Sequence, residues 1–266
     1  MELSPADLTE LRRAKALLTE NNLAVRISGL LGGQMNRGLD WLLRRLPAAA
    51  RDGMESVAQD AARRALEQGY RTALATVDAG EGRAPRWAWL SRRLSSLWFD
   101  KAATAATGFA GGAAGLAGTA VELPLTTTIL LRAIARIAAD EGEDLRSDEC
   151  RIECIKVLAF GAPAADEDAG YWTVRLALAQ AIGGYAGRTI GELMPRVVAQ
   201  VLPRFGVNVT WKFAGQAVPL AGAATGALMN VAFTDHYQEK ARGHFIVRRL
   251  ERAYGEAAVR AAYDAA

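Results

Sequence analysis

Cysteine, histidine and proline are scarce in this chain, and each shortage removes a class of explanation. Its 266 residues include two cysteines, Cys150 and Cys154, two histidines, His236 and His244, and eight prolines. Two thiols four residues apart share a helical face but do not suit an intrahelical disulfide. Two ligands do not complete a zinc site, so the pair reads as reduced core thiols. The catalytic signatures HExxH, GxSxG and SxxK are absent. So are GxxxxGK[ST] and GxGxxG, which excludes a phosphate-cradling loop of either kind. No cofactor and no metal are expected. No apolar run follows the charged N-terminus "MELSPADLTELRRAKALL", so a secretory signal is not expected and a cytoplasmic location is. No segment alternates with a strand's period of two and carries hairpin turn chemistry.

What the chain has is alanine, leucine and arginine, with 51% hydrophobic residues and 23% charged. That composition builds helices and buries a core. The expected fold is all-α: one compact multi-helix domain over 1–266, since no Pro/Ser-rich linker divides it. An N-terminal helix is expected within 1–20, where Ser4-Pro5 is a cap followed by a proline at the first helical position. A peripheral C-terminal helix is expected over 244–266, with a break near Gly243. The net charge of +3 does not support nucleic-acid binding. Its distribution is uneven. The first hundred residues carry 15 basic and 12 acidic side chains, the second hundred 9 and 12, and the last 66 carry 8 and 5.

Two kinds of segment stand out. In "RWAWLSRRLSSLW", Arg86 to Trp98, the side chains Trp87, Leu90, Leu94, Leu97 and Trp98 form one helical stripe. Arg92 and Arg93 lie away from it, and Arg86 flanks it. Tryptophan and leucine opposite arginine is the composition of an interfacial membrane helix, and equally of a helix packed on a core. The second kind is the uncharged stretch, 102–121 and 213–234, each about as long as a membrane span. The first is rich in glycine: Gly108, Gly111, Gly112, Gly115 and Gly118. Alanine and glycine supply little transfer energy, so spanning is not expected. Glycines three and four apart strip a helical face to backbone, and close helix–helix packing is expected instead. Gly222 and Gly226 repeat the pattern in the second stretch, and in both a proline, Pro219 here and Pro124 there, is expected to join a small-residue helix to a more ordinary one. Glu122 and Asn230 are the candidate buried polar groups, with Lys101 or Arg132 as partners for the carboxylate.

These segments carry a resemblance. "DKAATAATGFAGGAAGLAGTAVELPLTTTILLRAIARIAADEGEDL" resembles the signature region of the EcsC protein family, a Gly/Ala-rich helix leading through an acid and a proline into an apolar helix with arginines. Pro219, Gly222, Gly226 and Asn230 resemble a second run in that family's C-terminal half. Together the similarity spans roughly residues 20–255, with Glu122 where the family pattern leads one to expect aspartate. The family's namesake is encoded beside the components of an ABC-type exporter, and a peptidase-like role has been suggested for such proteins. The resemblance therefore implies transporter components as partners.

For a peptidase the histidines are the test. His236 and Glu239 share a helix face, and a remote carboxylate such as Glu122 would be a third ligand. The expected reading is instead a solvated helix carrying ordinary charges. The function expected is a non-enzymatic, peripherally membrane-associated helical protein on the inner face of the membrane, its partner an anionic lipid surface. The alternatives are a hydrolase and a soluble scaffold that forms a homodimer.

Overall fold

The computed structural model describes residues 3–19, 115–160, 170–183, 192–193, 195–201 and 222–266, with side chains from 126 in the second segment and from 230 in the last. Six helices are used below: α1 (Pro5–Thr19), α2 (Gly115–Asp140), α3 (Asp148–Phe160), α4 (Tyr171–Ile182), α5 (Gly222–Tyr254) and α6 (Glu256–Ala265). Residues 192–193 and 195–201 are also helical, and no strand occurs among the described residues.

Local chemistry sets the helix ends. The Ser4 Oγ accepts the Asp7 N–H at 3.1 Å and donates to its Oδ2 at 2.6 Å, a serine N-cap at the start of α1. At the far end of α2, Glu143 N–H reaches the Ala138 carbonyl at 3.0 Å and Gly142 N–H the Ala139 carbonyl at 3.0 Å. This is the Schellman closure, and Gly142 supplies the left-handed residue it needs, with φ +77°. Ser147 then caps α3 by accepting the Cys150 N–H at 3.1 Å. Gly183, at φ +75°, ends α4.

α5 is the axis of the described structure. It packs against α1, α2, α3 and α6, while α3 also packs against α2 and α4. One apolar cluster gathers Leu130, Ile134, Ile155, Leu158, Val197, Phe233 and Tyr237. A second joins Leu11, Leu18, Ile246, Leu250, Val259 and Tyr263. Cys150 and Cys154 are free and buried within the first. Their mutual contact and burial hold the Cys154 thiol well above its ordinary pKa.

Three sequence expectations are corrected here. Gly243 does not break the C-terminal helix, because α5 runs through it. It is the point where α1 comes closest: a β-carbon there would lie 2.7 Å from Leu18 Cγ and 3.0 Å from the Ala14 carbonyl. The break falls at Gly255, φ +86°. Consequently 244–250 is core rather than periphery, with Phe245, Val247 and Leu250 buried. Nor does Pro124 divide α2 into two helices; the helix continues through it.

Candidate functional site: a buried ionic centre

The helix of α3, "DECRIECIKVLAF", places Glu153 and Lys156 one turn apart amid Ile152, Ile155 and Val157, and every one of these side chains is buried. An ionised group cannot remain there unpaired. Lys156 Nζ donates to Glu153 Oε1 at 2.8 Å. The other carboxylate oxygen, Oε2, lies 3.0 Å from Nε2 of His244 on α5. On the opposite edge of that ring, Nδ1 lies 2.7 Å from the Tyr171 hydroxyl at the start of α4. Arg175 Nη1 approaches the same hydroxyl at 3.4 Å and forms a bidentate pair with Glu251, at 2.6 and 2.7 Å.

Protonation follows from this geometry. Burial would raise the Glu153 pKa, but the hydrogen bond with His244 and the charges of Lys156 and Arg248 outweigh it and hold the carboxyl well below its usual range. Burial lowers His244 to about 4, against the pull of Glu153. A neutral imidazole beside an ionised carboxylate carries its proton on Nε2, donates it to Glu153, and accepts the Tyr171 proton at Nδ1. Burial pushes the Tyr171 phenol well above its ordinary pKa, so the proton stays on the tyrosine. Phe160 packs against both rings, tilted to His244 at 4.9 Å and edge-on to Tyr171 at 5.2 Å.

A second tier surrounds this centre. Arg248 donates through Nε to Glu143 at 2.9 Å and through Nη2 to Glu149 at 2.9 Å, and its Nη1 lies 3.8 Å from Glu153. Arg252 also pairs with Glu143, and Arg249 with Glu141 at 2.8 Å. The acidic turn after α2 is thus neutralised by the basic end of α5. In this way the charge imbalance between the middle and the end of the chain becomes a set of tertiary contacts.

The histidines are the main correction. The expected solvated helix does not exist at these positions, since His236 and His244 are both fully buried. The interior demands it: α5 is flanked by α1, α2 and α3 and has little face left for water. No group of three or more metal-ligating side chains gathers among the described residues. Asn230 is buried on α5. Glu122 and Gly115, Gly118, Gly222 and Gly226 lie on α2 and α5, with their side-chain surroundings outside the described residues. Gly108, Gly111, Gly112, Lys101 and the whole 86–98 segment are also outside them. Sequence reading missed Glu153, Lys156 and Tyr171. The available signal was a carboxylate and an ammonium three apart among Ile152, Ile155 and Val157.

The acidic turn joins α2 to α3 and is held by the long helix α5. A scan against protein-family models matches the EcsC protein family over residues 46–250. The chain belongs to this family. The matched residues include Glu153, Lys156, Tyr171 and His244. Neither curated proteins nor solved structures give a match. No described helix of this EcsC protein is long and apolar enough to cross a membrane.

Proposed function

We propose that this EcsC protein is a non-enzymatic, peripherally membrane-associated helical protein that works on the inner face of the membrane as an accessory to an ABC-type exporter or other envelope machinery. The observation that carries the non-enzymatic part is the closure of the Glu153–His244–Tyr171 centre. Glu153 is engaged by Lys156 and His244, both ring nitrogens of His244 have partners, and Tyr171 is 7% exposed. Groups bound this way fix the packing of α3, α4 and α5. The membrane part rests on Arg86–Trp98, whose tryptophans and leucines oppose Arg92 and Arg93.

Flotation with neutral and anionic vesicles at low and high salt tests the proposal. Binding is expected on anionic vesicles, weakened by salt and by Arg92→Glu/Arg93→Glu. Equal flotation of that variant, or no binding to either vesicle, would overturn the membrane part.

A second reading, a hydrolase using Tyr171, is favoured by one observation: carboxylate, imidazole and hydroxyl stand in the order of an acid–base relay. In that reading His244 takes the phenol proton and Glu153 stabilises the imidazolium. The raised Tyr171 pKa and the burial of the hydroxyl oppose it.

A further inference from the structure

α6 is joined to α5 through a single residue and packs on α1 and α5. It follows Gly255, at φ +86°, and a β-carbon there would meet nothing within 4 Å. Only Val259 and Tyr263 of its ten residues are buried. Tyr263 is the plug. Its ring stands perpendicular to Trp172 at 5.7 Å and tilted to Tyr171 at 6.0 Å, with Lys15 Nζ 5.3 Å above it. Lys15 also donates to the Tyr263 carbonyl at 2.8 Å. The seat therefore comes from α4 and α1, and the plug hangs on a one-residue tether.

Two features make the attachment exchangeable. The Tyr263 hydroxyl and the Trp172 indole N–H are both buried in this seam without a partner. The seat recognises the ring rather than its polar tip. The N-terminal amides of α6 also have no side-chain cap. If Gly255 took a helical φ, the amides of Glu256, Ala257 and Ala258 would bond to the carbonyls of Arg252, Ala253 and Tyr254, fusing α5 and α6 into one rod. That gain offsets part of the cost of association, while every contact of α6 is retained if it docks elsewhere on an identical seat.

We propose that two copies of this chain exchange α6, the partner's Tyr263 seating between Tyr171 and Trp172 of the first copy. The surface is the α1–α4 seat and its occupant is the C-terminal helix of a second copy. The closed chain and the exchanged dimer are two connections of one set of contacts. The exchange also ties the cover over Tyr171, the outer end of the buried centre, to assembly.

Light scattering after size exclusion, on the full chain across a concentration series, tests this. The wild type should show a dimer fraction that grows with concentration. An L-residue at the left-handed Gly255 position is disfavoured, and each dimer relieves two of them, so Gly255→Ala should strengthen the dimer by about a hundredfold. Tyr263→Ala added to Gly255→Ala should return it to monomer, with an unchanged far-UV spectrum showing that the rest is folded. A monomeric Gly255→Ala, or a dimer indifferent to Tyr263→Ala, overturns the proposal. In wild-type mixtures of light and isotope-labelled chains, carbodiimide crosslinks from Lys15 to Asp264 should carry mixed labels. Unmixed labels alone also overturn it.

Discussion

Burying Glu153 is costly by itself, and the residues around it exist in the geometry that offsets that cost. Lys156 supplies a full charge 2.8 Å away, and His244 supplies a neutral donor on the other oxygen. Removing one member strands the others. Glu153→Gln removes the negative charge that faces Lys156 and Arg248 in the interior, and a loss of about 3–5 kcal/mol is expected in chemical denaturation. Tyr171→Phe is gentler. It removes the donor to His244 Nδ1 while keeping the ring that packs on Phe160, and should cost about 1–3 kcal/mol. Equal losses for the two variants would contradict the assignment of Glu153 as the hub. The centre was only faintly legible in the sequence. The 153/156 spacing is visible, but its partners lie 18 and 91 residues away from Glu153, and periodicity carries no information about such distances. His244 was visible as a residue yet misplaced into water, because a helix bearing Glu239, Lys240, Arg242 and Arg248 reads as solvated. Buried salt bridges and lysines that snorkel or cap defeat that inference. Lys240 shows how: it is buried, and its ammonium donates to the Leu17 and Leu18 carbonyls at the end of α1, at 3.0 and 2.8 Å.

At the level of elements, α5 holds α1 by close approach and holds the α2–α3 turn by charge. Gly243 permits the first. In an isolated helix glycine to alanine would gain about 1 kcal/mol. Here the added methyl meets Leu18 Cγ at 2.7 Å and the Ala14 carbonyl at 3.0 Å, so Gly243→Ala should lower stability by about 1–2 kcal/mol. Faster hydrogen exchange should be concentrated in α1. An increase in stability would contradict the contact. The turn provides an internal comparison. Arg248 is largely buried between Glu143, Glu149 and Glu153, whereas Arg252 is half exposed. Arg248→Met should cost about 3 kcal/mol in thermal or chemical unfolding, and Arg252→Met less than about 1. The start of α1 was legible at this scale, marked by Ser4-Pro5. The failures were Gly243, where the close approach of α1 uses a residue that usually weakens a helix, and Pro124, which α2 runs through.

For the whole molecule, the basic end and acidic middle of the sequence are complementary parts of one EcsC unit, and that complementarity makes stability depend on pH. His244 has a folded pKa of about 4 against 6.5 for an ordinary histidine, so below about 6.5 the unfolded chain binds a proton that the folded chain refuses. Stability should be flat above that value and fall by on the order of 3 kcal/mol as pH drops to about 4. Glu153, whose folded pKa is also depressed, adds stability above the ordinary carboxylate range that is lost at still lower pH. The fold class and the family were legible from composition and motif order, since both are properties of the chain as a whole. The membrane-facing reading of Arg86–Trp98 lies outside the described residues and depends on the vesicle experiment. The claim that organises the rest is that the Glu153–His244–Tyr171 centre is closed, and nitrogen NMR of histidine-labelled protein tests it most directly. His244 should show the Nε2–H tautomer, unchanged from neutral pH down to about 5, and gain a second proton only near about 4. Reversible titration of His244 near 6.5 in the folded protein would contradict the account, since that is the behaviour of an imidazole open to water and able to exchange protons with a substrate.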